Sequence, residues 1–302
     1  VNQEYADALQ ICQRLQKQYP QHPVGYFFEA ATLQASMMDD ENYKLKDRFF
    51  QLTAKVHKLC KAALRNDPQN SWLYFFMGGA MGYEAYFLGR EQNYLKAFSD
   101  GWNSIQSLET AIALDAENYD AYLGIGAYKY YRSKLSKYLN WLPFVRDERK
   151  TGIEMIERAI EKGKFSKAAA MNALIWIHIG EKNYPQADAL IDEALARYPN
   201  SRFFLWGKAT SATEQKNWRR AEIVYKKILQ SYAREGKRSS YNKLLCHTRL
   251  AEIYAKRNNS ELASKHAQKA LTIKINKSMR KKARKHQKLA EQILKQNSYS
   301  AR

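Results

Sequence analysis

Apolar side chains recur along this chain every three to four positions, the spacing of one face of an α-helix. Over residues 4–20, Tyr5, Ala8, Leu9, Cys12 and Leu15 share a face between polar neighbours, which predicts an amphipathic helix closed by Tyr19-Pro20. The stretch from Trp72 to Gly89 departs from that pattern. It is too aromatic for a surface helix and too rich in glycine for an ordinary core helix. Tyr26-Phe27-Phe28 lies 48 residues before Tyr74-Phe75-Phe76, and Tyr122-Leu123-Gly124 lies 48 residues after it. A fixed period of this length predicts stacked supersecondary units.

The register extends along most of the chain. One helix position is filled by Leu15, Ala63, Ala111, Ala159, Ala194, Ile228 and Ala270, at spacings of 48, 48, 48, 35, 34 and 42. The position three before it is filled by Cys12, Cys60, Leu108, Ile156, Ile191, Tyr225 and Ala267. Small residues allow two helices to approach, and larger ones fill the space beside them. These are second helices of pairs, predicted to end near residues 20, 68, 116, 163, 198, 232 and 272. Asn183-Tyr184 and Asn217-Trp218, 34 apart, mark turns within pairs. The early units carry 14 extra residues around Met38–Tyr43, Gly89–Tyr94 and Tyr138–Arg146, read as longer helices. Gly78 and Gly126 fall at a site of close helix approach. The array is expected over 1–272, with a basic capping helix and tail over 273–302.

Ala8, Cys12, Leu15 and Pro20, then Leu250-Ala251-x-x-Tyr254 and Ala263-x3-Ala267, resemble the tetratricopeptide repeat (TPR) superfamily over about residues 4–272. That resemblance implies an all-α solenoid, a right-handed superhelix of antiparallel helix pairs with a concave groove lined by the first helix of each pair. Transferred by register, the groove would be lined by Phe27, Trp72, Phe75, Tyr83, Tyr130, Tyr131, Met171, His178, Phe203 and Trp206. Core packing remains an equal reading for Phe75 and Trp206. The long period and Trp141–Gly152 resemble a subset of bacterial exported TPR proteins. Asp147-Glu148-Arg149 and Gly152 are also similar to the mitochondrial outer-membrane TPR family linked to inclusion-body clearance. The implied location is the periplasm or cell envelope, after removal of a signal peptide, with the cytoplasm as the alternative.

Composition changes this picture in one place. The net charge is +20 over 302 residues, and Ile273–Arg302 holds ten Lys/Arg against one acid, Glu291. Arg280, Lys281, Lys282, Arg284, Lys285 and Lys288 form one face of the last helix, opposite Met279, Ala283, Ala290, Ile293 and Leu294. Such a face could meet nucleic acid or an anionic membrane, or only solvate a cap.

Candidate chemistry is sparse. Six histidines form no metal-binding spacing, three cysteines form no CxxC, and no phosphate loop or nucleophile motif is present. Cys12 and Cys60, one period apart, read as buried structural thiols, and His178 reads more readily as structural than as a ligand. Asp39-Asp40-Glu41 reads as a solvated turn. Where carboxylate-gripping TPR domains place lysine and asparagine, this chain has Phe27, Phe75, Leu123, Met171 and Trp206, then Ala31, Gly79, Ala127, Ile175 and Thr210. The expectation is a non-catalytic scaffold without cofactor or metal that holds a protein or peptide partner. Polyanion binding through the basic helix is the alternative.

Overall fold

The computed structural model describes residues 1–91, 93–135, 147–234 and 239–300. It is built of helices, with no strand among the described residues. In chain order they are α1 (Tyr5–Gln18), α2 (Val24–Asp40), α3 (Lys46–Ala63), α4 (Ser71–Arg90), α5 (Tyr94–Leu114), α6 (Tyr119–Leu135), α7 (Arg149–Lys162) and α8 (Lys167–Gly180). There follow α9 (Tyr184–Arg197), α10 (Arg202–Glu214), α11 (Trp218–Arg234), α12 (Ser240–Lys256), α13 (Ser260–Thr272) and α14 (Arg280–Ser300). Two compact units result. The first comprises Glu4–Met37 and Tyr43–Ile177; the second comprises Val1–Gln3, Met38–Asn42 and His178–Arg302.

The register explains the packing in both. The position held by Cys12, Cys60, Leu108, Ile156, Ile191, Tyr225 and Ala267 is buried in all seven helices. The neighbouring position is fully buried at Ala111, Ala159, Ala194, Ile228 and Ala270, and partly buried at Leu15 and Ala63. The extra residues of the early repeats lengthen helices: α4 and α5 have 20 and 21 residues, against 14 and 13 for α9 and α10. Turns within the later pairs share one geometry. Lys182, Lys216 and Asn258 adopt left-handed φ of 59°, 56° and 56°, and the asparagine after each donates its backbone N–H five residues back, to His178, Ala212 and Tyr254. This closes the helix by satisfying orphan carbonyls.

In the first unit, glycines set the helix spacing. A Cβ on Gly78 would meet the Ser104 carbonyl oxygen at 2.9 Å, and one on Gly126 would meet the Gly152 carbonyl oxygen at 2.6 Å. The backbones of α4 and α5, and of α6 and α7, therefore touch, and Ser104 Oγ donates to the Gly78 carbonyl at 2.7 Å. Around these contacts Phe27, Val56, Leu73, Phe75, Phe76, Ile105 and Ile125 form one core cluster.

The second unit is built around a charge. Asp39 and Arg202 are both almost fully buried, and the guanidinium donates from Nε at 2.8 Å and from Nη2 at 2.5 Å to the carboxylate. Tyr232 Oη and Asn242 Nδ2 donate to the Asp39 carbonyl at 2.8 and 2.7 Å, and the guanidinium lies 4.4 Å from the Tyr232 ring centre. The expected solvated turn is corrected at Asp39: it lies in the last turn of α2 as a buried acceptor, with Arg202 and two further hydrogen-bond donors in place of water, while Asp40 and Glu41 are partly exposed. Glu41 pairs with Lys282 at 2.6 Å. The segments around Trp141–Arg146 and Leu142-Pro143 lie outside the described residues.

Candidate functional site

Three aromatic side chains, Phe28, Trp72 and Phe165, meet on one edge of the first unit. The edge begins with polar ties between helix starts. Asn70 caps α4, accepting from the Leu73 N–H at 3.2 Å, and Asn118 Nδ2 donates to Ser71 Oγ at 2.7 Å in a buried contact. This joins the start of α6 to the start of α4. Two residues on, the buried Asp120 carboxylate accepts the backbone N–H groups of Lys164, Phe165 and Ser166 at 3.0, 2.8 and 2.6 Å. Gly163 allows the chain to fold back there, since a Cβ would lie 2.5 Å from the Ala159 carbonyl oxygen.

The ties bring Phe165 against Phe28 and Trp72, with ring centres 5.0 and 5.8 Å away. Lys164 Nζ sits 5.5 Å from the Trp72 ring, and Phe28 is edge-on to Phe76 at 6.4 Å. Phe165 is 55% exposed, while Phe28 and Trp72 are partly buried. Burying an aromatic ring of this size contributes about 1.5–3 kcal/mol. A rigidly held aromatic supplies that at little entropic cost.

Sequence reasoning named Trp72 and missed Phe165. A signal was present. By register Phe165 stands where the other turns hold Gln21, Gln69, Glu117 and Asn200, so an aromatic interrupts a polar series.

Four expected groove residues are corrected. Phe27, Phe75, Tyr130 and Met171 are 2%, 7%, 1% and 0% exposed, and so have no area to offer. Phe27 is enclosed by Phe28, Phe75, Phe76 and Tyr83 at 5.2–5.7 Å. Tyr130 is turned inward because Gly126 and Gly152 draw α6 and α7 together, with the Tyr130 Cβ 3.1 Å from where a Gly152 Cβ would stand. Tyr83 is half-buried and stacked on Phe27, and burial pushes its hydroxyl to about 12. Tyr131 is exposed, beside Tyr130. In the second unit His178, Phe203 and Trp206 are partly buried, with Trp206 edge-on to Tyr225 at 6.0 Å. Burial lowers the His178 pKa.

The remaining titratable groups read as structural. All three cysteines are buried and free, and burial raises their pKa, that of Cys60 to about 12, which leaves protonated, unreactive thiols. Among the described residues no group of three or more metal-ligating side chains converges, and no helix is long and apolar enough to cross a membrane. A cavity of about 430 Å³ in the second unit is lined by Arg202, Lys227, Asn200 and Gln230, but its arginine is already held by Asp39. The basic residues Arg280, Lys281, Lys282, Arg284, Lys285 and Lys288 are all exposed on α14.

Comparison with known proteins follows the same lines. No curated protein matches the sequence. Among solved structures, the anaphase-promoting complex hetero-tetramer Cut9-Hcn1 aligns over 98% of this chain and 53% of its own, with 13% identity and a TM-score of 0.52. The human IFIT1 dimer with PPP-AAAA aligns over 83% and 50%, with 16% identity and a TM-score of 0.50. The chain thus spans about half the length of these two. The C-terminal part of a TPR repeat-containing protein from Cytophaga hutchinsonii aligns over 93% and 94%, with 18% identity and a TM-score of 0.48. Residues 172–235 match the tetratricopeptide repeat family, and the same helix-pair register runs on either side of that segment.

Proposed function

We propose that this protein is a non-catalytic TPR scaffold that docks a protein or peptide partner on the aromatic edge Phe28–Trp72–Phe165 of its first unit. The observation that supports this most is Phe165, a ring more than half exposed that packs against Phe28 and Trp72 on a turn whose backbone is held by three N–H bonds to a buried carboxylate. TPR folds serve protein interaction in general, and the exposed Phe165 ring is what supports assigning that role to this edge. Lys164 over Trp72 adds a cation at the rim, which suits a partner carrying acidic residues beside an apolar anchor.

The test is a random-peptide selection on the whole chain, followed by affinity measurement on variants. Phe165→Ala and Trp72→Ala are expected to weaken selected peptides tenfold or more, about 1.4 kcal/mol or above. Tyr131→Ala, on an exposed ring outside the edge, serves as the control. Peptides that bind the Phe165→Ala/Trp72→Ala double variant as tightly as the parent would refute the assignment.

A further inference from the structure

We propose that the exposed face of α14 binds the phosphate backbone of duplex nucleic acid, at a site separate from the aromatic edge and independent of its role. The local charge is the first ground. Residues 239–302 hold 16 Lys/Arg against three acids, Glu252, Glu261 and Glu291, and Glu252 is paired with Arg249 at 2.7 Å. On α14, Arg280, Arg284 and Lys288 form one i, i+4 row and Lys281 and Lys285 the row beside it, all exposed. These five span about 12 Å along the helix, a length over which a DNA duplex carries about seven phosphates on its two strands, at one per about 1.7 Å of axis.

What α14 lacks decides between polyanions. An interfacial membrane helix must bury its apolar face in lipid. Here that face is spent: Met279, Ala283, Ala290 and Ile293 are buried in the core of the second unit together with Leu244, Leu250 and Ala267. A single-strand site needs aromatic side chains on which bases stack. None of the exposed large hydrophobic side chains falls among residues 239–297. A row of cations with no exposed aromatic beside it among residues 239–297 is suited to a duplex backbone, read without base contacts. Such a ligand accords with the cytoplasmic alternative for this protein.

The structure also supplies a reporter. His286 is buried beneath the face and hydrogen-bonded to Tyr241 Oη at 3.3 Å. Burial first, then Lys285, Arg249 and Lys282, hold its pKa down at about 4. A phosphate backbone laid on α14 offsets those cations and raises it.

The experiment titrates the whole chain with a mixed-sequence DNA duplex of about 24 base pairs at about 50 and 200 mM salt, following anisotropy and the His286 ring by NMR. Five neutralised phosphates predict a loss of about 500-fold over that fourfold salt change. The charge-neutralising variant Lys281→Gln/Arg284→Gln/Lys288→Gln keeps the buried face of α14 and should reduce the slope of log K against log salt by about 2.7. The duplex should raise the His286 pKa. Salt-independent binding, an unchanged slope in the variant, an unmoved His286, or tighter binding to phosphatidylserine vesicles or polyglutamate than to duplex would each overturn the proposal.

Discussion

The two units share one repeat and differ in what they do with the residues it leaves over. The first holds 28 of the 39 aromatic side chains and a nearly balanced 22 Lys/Arg against 17 Asp/Glu. The second holds 11 aromatics and 28 Lys/Arg against 13 Asp/Glu. Their packing differs in kind as well. The first unit closes its helix pairs by backbone contact at Gly78, Gly126 and Gly152, and stacks rings around Phe27. The second surrounds a buried ion pair with hydrogen bonds and the Tyr232 ring, and has a mainly aliphatic core. A solenoid repeat fixes only the small and large core positions of each helix pair. Composition outside those positions is free to give one unit an aromatic edge and the other a basic face.

The largest effect should come from breaking the charge in the second unit. Arg202→Met leaves the buried Asp39 carboxylate without its cation and should cost about 3–5 kcal/mol, seen as a lower midpoint in urea. Removing both charges, as Asp39→Leu/Arg202→Met, should recover most of that loss. A single variant as stable as the parent would show that the pair is not what the second unit is built around. In the first unit, Gly152→Ala sets a methyl 2.5 Å from the Gly126 carbonyl oxygen and should cost about 1–3 kcal/mol through forced separation of α6 and α7.

Acid should separate the units more gently. Burial holds His247, His266 and His286 of the second unit down at about 4, the first two sharing an Nδ1–Nδ1 hydrogen bond of 3.0 Å. Between pH 6.5 and 4 the unfolded chain takes up protons that these folded rings refuse, so stability falls as pH drops through that window. In the first unit, burial raises the Glu84 pKa, which acts in the opposite sense, while His57 beside it is lowered. Hydrogen exchange at pH 5 against pH 7 should therefore show α12–α14 losing protection before α4–α6. Equal loss in both would erase this distinction.

How far the sequence showed this depends on the kind of contact. Seven buried positions in register, from Cys12 to Ala267, were legible because each is decided by neighbours a fixed distance away in the chain. Gly78 and Gly126 were legible for the same reason. Asp39 was not, since its partners Arg202, Tyr232 and Asn242 lie 163 to 203 residues away and nothing local marks an aspartate for burial. Tyr130 was misassigned because its hydroxyl suggested a wet edge, whereas the Gly126–Gly152 approach turned its ring inward. Phe165 left a trace, an aromatic in a polar turn, but its two ring partners come from α2 and α4, far along the chain.

The central claim is that the two surfaces bind different things. It is tested most directly by titrating one selected peptide and one DNA duplex against the parent, Phe165→Ala and the Lys281→Gln/Arg284→Gln/Lys288→Gln variant. The account predicts a crossed result: Phe165→Ala loses the peptide tenfold or more and keeps the duplex, and the α14 variant loses the duplex and keeps the peptide. Peptide affinity that ignores Phe165 and follows the α14 charges would contradict it.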